Sequence, residues 1–280
     1  MFIWLASYPK SCNTLVRSML AAYFFSKDGI YNFDQIKNIK QFPKGALFER
    51  MGIDIQNEKE VIKNYIKVQE TFNKKDSIQF LKTHSHLFNI DNHPFTDLNN
   101  TLGVIYIVRD PRKIISSYAN HSELSLQEAQ KRILEVSTLG GKNELVNKTI
   151  IHAGSWSSNY QSWKEFKKLD CYLLIRYEDL VSEPKQTFIK VLNFIFKLTK
   201  SKEVIDEKKL NKTLNSTTFE HLQNLEKKEG FKEATFSSEN KKNKFFKYGL
   251  KNDGKKNVPK DLRNNLEKIL DKEMKELDYL

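Results

Sequence analysis

Four short runs of the chain are almost wholly apolar: Phe2–Ala6, Ile78–Lys82, Leu102–Val108 and Tyr172–Arg176. Near-continuous apolar character, in place of alternation, is expected of strands in a parallel sheet covered on both faces. Helical periodicity lies between and after them. Leu15, Met19 and Tyr23 share one helix face. Ile114, Ile115 and Tyr118 follow Pro111, and proline is tolerated in a first helical turn. Trp156, Tyr160 and Trp163 mark a third helix, and Val191, Leu192, Ile195 and Phe196 after Pro184 a fourth. Leu262, Leu266, Leu270, Met274 and Leu277 define one last helix beginning near Pro259. Strand–helix alternation predicts an α/β fold with a parallel sheet and right-handed crossovers. Ligands in such sheets bind at the carboxyl ends of the strands. Asn32–Asn57, with Pro43-Lys44-Gly45, and the charged stretch Lys227–Lys244 lack a period and read as loops, which at such length are often lids or binding loops. With no internal repeat and no linker rich in Pro, Gly or Ser, residues 1–280 read as one domain.

Composition narrows the chemistry. The 280 residues suffice for a substantial core, and 39% hydrophobic residues with 19 Phe and 11 Tyr argue for a folded protein. A net charge of +12 favours anionic partners, from nucleotides and sulfated or phosphorylated compounds to nucleic acid or an anionic membrane face. Two cysteines, Cys12 and Cys171, without metal-ligand spacing around them, exclude a disulfide framework and suit a reducing cytosol. The N-terminal apolar run breaks at Ser7-Tyr8-Pro9-Lys10, so a signal peptide or membrane anchor is not expected there, and no apolar segment approaches spanning length. A cytoplasmic protein is the expectation.

The most informative string is S-Y-P-K-S-C-N-T-L-V-R from Ser7 to Arg17, directly after the first apolar run. A strand, a tight turn with one lysine and small hydroxylic residues, and then a helix make a phosphate-binding loop: backbone N–H groups and the helix dipole face the anion. Lys10 adds a full charge. The loop lacks the glycines of G-x-x-x-x-G-K-[ST]. A second string begins at Thr101, where an apolar strand delivers Arg109 at its end and the following helix carries Ser117 about two turns in. An arginine and a hydroxyl on facing elements can grip a phosphate through charge-assisted hydrogen bonds. A third, Lys82-Thr83-His84-Ser85-His86, puts histidines at a strand end. An imidazole titrates near neutrality and can take a hydroxyl proton.

Together these strings resemble the sulfotransferases that use 3′-phosphoadenosine 5′-phosphosulfate (PAPS). Their donor loop is usually Y-P-K-S-G-[TN]-T-[WL], and here Cys12 stands at the glycine. Their 3′-phosphate motif is matched by Tyr106, Arg109, Asp110, Arg112, Ser117 and Tyr118, and their K-T-H by Lys82, Thr83 and His84. Gly154-Ser155-Trp156 to Trp163, Tyr177-Glu178-Asp179-Leu180 and Thr217-Thr218-Phe219 match further segments, and Lys244–Lys256 matches a late one loosely. The resemblance runs over nearly the whole chain and is weakest from Asn32 to Asp76, where acceptor loops are expected.

The resemblance implies a three-layer α/β/α domain with P-loop-like topology and sulfuryl transfer from PAPS, leaving PAP, to an acceptor hydroxyl or amine by in-line attack. It implies His84 as base, with His86 on the same face if the strand continues, Lys82 facing the sulfonate and Lys10 on the bridging oxygen. Ser11, Cys12, Asn13 and Thr14 would line the loop, with Leu15 where a tryptophan usually neighbours adenine. Arg109 and Ser117 would hold the 3′-phosphate with Lys247, Tyr248 and Gly249, where Tyr248 replaces a basic residue. Tyr177, Thr217 and Phe219 would approach adenine. No metal is expected, since lysines and the helix terminus supply the charge. The acceptor is a small molecule, carbohydrate or lipid. Neither a nucleic-acid partner nor a membrane span is expected, and the oligomeric state stays open. Two alternatives stand beside this reading: a P-loop kinase or ATPase, and a non-catalytic PAP or polyanion binder derived from a sulfotransferase.

Overall fold

The computed structural model describes residues 1–73, 79–140, 149–231, 233, 244–246 and 257–280. Strands β1 (Phe2–Ala6), β2 (Lys40–Gln41), β3 (Gln79–Thr83), β4 (Asn89–Ile90), β5 (His93–Pro94), β6 (Thr101–Val108), β7 (Ser137–Leu139), β8 (Ile151–Gly154) and β9 (Tyr172–Arg176) are formed. Five of them make the central sheet in the order β2-β3-β1-β6-β9, every neighbouring pair parallel. Two small antiparallel pairs, β4-β5 and β7-β8, lie apart from it.

Strand side chains alternate between two buried faces. Phe2, Trp4, Ala6, Val104, Tyr106 and Val108 pack with Ile114, Ile115, Trp156, Trp163, Leu266 and Met274. Ile3, Leu5, Ile105, Ile107 and Ile175 pack with Val16, Leu20, Phe188, Leu192 and Leu210. The central strands therefore show no period because both faces are apolar and covered by helices. The expected three-layer α/β/α arrangement follows. One face is covered by helices α1 (Asn13–Phe25), α9 (Pro184–Thr199) and α10 (Glu207–Ser216). The other carries α5 (Pro111–Ser122), α7 (Trp156–Lys164) and the helices Lys260–Ile269 and Asp271–Glu276. Local sequence sets the starts: Asp110 caps α5 by accepting from the Arg112 N–H, with Pro111 in the first turn, and Ser155 and Ser158 close a capping box on α7.

Three readings are corrected. The span Asn32–Asn57 is not a plain loop: it holds a 3-10 turn at Gln35–Asn38, edge strand β2 and helix α2 (Gly45–Glu49). Its buried anchors Ile36, Ile39, Phe42, Phe48 and Ile53 serve several short elements, so no single period shows. The polar stretch from Lys227 begins inside helix α11 (Phe219–Glu229), and most of the remainder lies outside the described residues. The last helix is two, broken at Leu270. Leu262 to Leu277 still face one core, because the break does not turn the apolar face away.

Strand β1 is flanked by β3 and β6, with Ala6 in register with both Thr83 and Tyr106. The chain thus leaves the centre of the sheet and returns on either side, the switch point at which an open α/β sheet forms a crevice. The loop after β1, the residues after β3 and the turn after β6 meet there.

Gly103 marks where α9 presses on β6: a Cβ there would lie 2.4 Å from a Leu198 methyl and 3.1 Å from the Cys171 carbonyl oxygen. The methyl can swing away but the carbonyl cannot. Gly103→Ala should therefore destabilise the protein by roughly 1–3 kcal/mol, an overpacking cost, in urea unfolding. A neutral substitution would show that α9 packs less closely than this.

Candidate active site

The loop between β1 and α1 is shaped by its own side chains. Asn13 Nδ2 donates to the Leu5 carbonyl (2.9 Å) and to Ser7 Oγ (3.1 Å), and the buried Tyr8 hydroxyl donates to the Arg132 carbonyl (2.8 Å). Lys10 (φ 66°) and Cys12 (φ 67°) adopt left-handed backbone. Cys12 is the N-cap of α1 and offers no side-chain cap to it. The geometry that favours glycine at this place is retained although a Cβ is present, at a conformational cost of about 1–2 kcal/mol.

Electrostatics at this end of the sheet is one-sided. Lys10 is pushed down to about 8, chiefly by burial and further by Arg109. Lys82 is likewise pushed down to about 8 by burial, with Arg17 and Lys10 adding to it and Glu233 opposing. Lys82 Nζ donates to Gln41 Oε1 on the edge strand (2.8 Å). The Phe245 ring lies 5.2 Å from Lys10 Nζ. Arg109, buried at the end of β6, lies with its guanidinium carbon 4.5 Å from the Tyr177 ring centre and donates to the Lys10 carbonyl (3.2 Å) and Cys12 Sγ (3.6 Å).

His84 follows β3 directly. Its Nδ1 lies 2.9 Å from the Ser7 carbonyl oxygen and 3.2 Å from Ser7 Oγ. A carbonyl only accepts, so in the neutral ring Nδ1 carries the proton and Nε2 keeps its lone pair. Burial first, then Lys82, Arg17 and Lys10, hold the His84 pKa well below its usual value, so the ring is neutral at pH 7. The strand does not continue to His86. β3 ends at Thr83, and the Asn159 amide takes the His84 carbonyl (2.9 Å). His86 instead turns its Nδ1 to the His152 carbonyl (2.8 Å). The same-face expectation for His86 is therefore corrected.

Ser11 is buried in the loop and Asn13 and Thr14 in the first turn of α1, and Leu15 and Ser117 are half-buried on α1 and α5. Thr217 is buried and its hydroxyl donates to the Thr213 carbonyl (2.7 Å). Phe219 packs edge-on against Phe246 at 6.2 Å, and Glu226 holds the Phe245 and Phe246 N–H groups at 2.7 and 2.9 Å. The pair Phe245-Phe246 thereby links Phe219 to Lys10. Lys247, Tyr248 and Gly249 lie outside the described residues.

Three participants escaped the sequence reading. His121, one helical turn after Ser117, is held at about 3 by burial, Lys10 and Lys82. Arg17 on α1 makes a two-pronged ion pair with Glu233 (2.8 and 3.0 Å). The i, i+4 spacing of Ser117 and His121 was the available signal for the first. Nothing local announces a pair 216 residues apart.

A multiply charged anion fits this arrangement. Ser11 Oγ and Arg109 Nε are buried without a partner, and the first turn of α1 lacks a side-chain cap. Among the described residues no group of His, Cys, Asp or Glu is arranged to hold a metal, and no helix is long and apolar enough to cross a membrane.

Fold and site together define a cationic crevice at the carboxyl ends of a parallel α/β sheet. The sulfotransferase domain matches residues 2–278, and the chain belongs to that family. A stretch of 220 residues, 78% of this chain and 64% of the relative, is 25% identical to mouse sulfotransferase 1 family member D1. A shorter stretch of 95 residues, 34% of this chain, is 30% identical to rat sulfotransferase 2A6 and covers 31% of it. The matched stretches thus span 31% and 64% of the length of these relatives. The fold is shared with mouse sulfotransferase SULT7A1 complexed with PAP, at a TM-score of 0.56 and 16% identity over 98% of this chain and 84% of that one. It is shared with retinol dehydratase in a complex with retinol and PAP, at a TM-score of 0.59 and 14% identity over 98% and 81%.

Cys12→Gly removes the left-handed Cβ. Relief of about 1–2 kcal/mol, offset by about 0.4–1 kcal/mol from the freer unfolded chain, should leave the variant slightly more stable in urea unfolding without ligand. A less stable variant would mean that the Arg109 contact with Sγ outweighs the backbone strain.

Proposed function

We propose that this chain, acting as one domain over residues 1–280, transfers a sulfuryl group from PAPS to a hydroxyl or amine of a small-molecule, carbohydrate or lipid acceptor. The observation that carries the reading is His84. Its Nδ1 is tied to Ser7 in the donor loop, which leaves Nε2 as the base in the field of the buried Lys82 and the half-buried Lys10. PAPS, when bound, supplies the electrophilic sulfur and leaves as PAP.

Each residue then has a task. His84 Nε2 accepts the acceptor proton as the acceptor atom attacks sulfur in line with the departing oxygen. Lys10, Ser11 and the loop N–H groups stabilise the charge that builds on the leaving side. Lys82 faces the sulfonate. Arg109 and Ser117 hold the 3′-phosphate, with Lys247, Tyr248 and Gly249 assigned there by likeness, and Tyr177, Thr217, Phe219 and Leu15 border the adenine. The cations that depress His84 in the free protein are offset by the donor's negative charge. Donor binding therefore raises the basicity of His84 when a base is needed.

PAP at 100 times its Kd should stabilise the protein by about 2.7 kcal/mol, read as a rise in Tm. The effect has a pH sign. Lys10 and Lys82 sit at about 8 in the free protein, and a bound anion raises both, so binding takes up protons above that pH. Over the same window, up to the ordinary lysine value, the ligand-free protein gains stability, because its unfolded chain holds more protons than the native one. The Tm shift should shrink from pH 7 to pH 9.5. No shift at pH 7 with folded protein would sink the reading.

His84→Ala should lower sulfuryl transfer, followed by mass spectrometry of acceptor pools incubated with PAPS, by ~10²–10⁴-fold. PAP affinity should stay near that of the wild type. Loss in His86→Ala with full activity in His84→Ala would show that the base is the other histidine.

A further inference from the structure

We propose that Tyr279 is a positioning residue for the 3′-phosphate site: it clamps together the two turns that carry Arg109 and Tyr177. This rests on the reading that Arg109 contacts the donor.

The segments that follow β6 and β9, the second being the first turn of the helix Tyr177–Ser182, each present two consecutive residues with opposite outlooks. The inner pair is Arg109 and Tyr177, stacked at 4.5 Å, with Arg109 reaching Lys10 and Cys12 in the donor loop. The outer pair is Asp110 and Glu178. The Asp110 N–H donates to Glu178 Oε1 (3.2 Å), and the Tyr279 hydroxyl donates to Glu178 Oε2 (2.9 Å). Arg112 grips Asp110 through Nε (3.0 Å) and Nη2 (2.7 Å), and Nη2 also donates to the Tyr279 carbonyl (2.8 Å). The Arg176 guanidinium lies 5.1 Å from the centre of the Tyr279 ring. Tyr279 is thus engaged by its hydroxyl, its carbonyl and its ring, and is 9% exposed.

The two turns lie on neighbouring strands, and their last sheet pairing is Val108 with Arg176. Beyond that pair the ladder no longer sets their relative position. The Asp110–Glu178–Tyr279 chain takes over there. A Cα shift of a few tenths of an ångström at Asp110 or Glu178 passes directly to the residue before it. Arg109 would then lose its place over Tyr177. Arg109 recognises the 3′-phosphate, so the consequence is selective: ligands with that phosphate suffer and ligands without it do not. Tyr279 touches neither ligand.

Tyr279→Phe tests this, since the ring and main chain stay and only the bond to Glu178 goes. Kd values for PAP and for adenosine 5′-phosphosulfate, which lacks the 3′-phosphate, are measured by calorimetry on wild type, Tyr279→Phe, Arg109→Ala and the double variant. Hydrogen exchange is followed at residues 109–113 and 176–180. Tyr279→Phe should weaken PAP roughly 3- to 10-fold, the worth of one hydrogen bond. It should leave adenosine 5′-phosphosulfate unchanged, raise KM for PAPS more than it lowers kcat, and loosen amides in both turns. In the Arg109→Ala background it should cost PAP nothing more. Equal loss of both ligands, or wild-type PAP affinity in Tyr279→Phe, overturns the proposal. Wild-type protein that binds no PAP overturns the donor reading itself, and is recognised before any variant is compared.

Discussion

Lys10 and Lys82 sit where burial, more than any other cause, pushes both ammonium groups down to about 8, with Arg109 lowering Lys10 further and Arg17 and Lys10 lowering Lys82. Parallel topology produces this. With β1 between β3 and β6, three strand ends deliver their next residues to one crevice, and three of those residues are Lys10, His84 and Arg109. The N-terminus of α1 adds positive potential at the same place. Repulsion of this kind weakens the free protein and is relieved by an anion. Stability is surrendered at a site where binding restores it.

Carboxylates are sorted to keep the repulsion where it is useful. Behind the crevice, Asp110 and Glu267 hold Arg112, and Glu178 sits 3.9 Å from Lys113 Nζ. In front, Arg109 has an aromatic ring, a carbonyl and a sulfur as neighbours, and its Nε has no partner. Glu233 is the exception: it pairs with Arg17 and lies in the field of Lys82 and Lys44. Its carboxyl is held below its ordinary value by those cations, against the effect of burial. A carboxylate settles where a ligand anion would be attracted, which shows how strong that attraction is.

Much of this was legible because the informative residues are local in sequence. Loop, histidine and arginine each follow an apolar run within a few positions, so a strand ending was enough to place Lys10, His84 and Arg109 at one end of the sheet. Edge strand β2 was not legible: two residues, Lys40-Gln41, pair with β3 and carry no apolar signature. Helix α6 (Leu126–Leu134) had a readable start in Ser125 and Glu128, whose capping box the structure contains, but its polar face hides a short apolar stripe. Partners distant in sequence were invisible for a different reason. Tyr279 and Glu178 are 101 positions apart, and nothing in a single sequence says that two polar residues at that distance meet. Local order is written in periodicity, whereas tertiary hydrogen bonds depend on the finished fold.

Cys12 shows which feature of the loop is fixed by what. If glycine's freedom shaped the loop, a side chain at that position would have driven the backbone to an ordinary conformation. It stays left-handed, and so does Lys10. The holding contacts lie on either side: Asn13 bonded back to Leu5 and Ser7, Tyr8 to Arg132, and Arg109 to the Lys10 carbonyl. Four hydrogen bonds of about 0.5–1.5 kcal/mol each suffice to offset two left-handed residues at about 1–2 kcal/mol each. Glycine therefore lowers the energy of this loop without being the cause of its shape. The cause is the hydrogen bonding of residues the loop shares with its surroundings, which is why the cradle survives a cysteine.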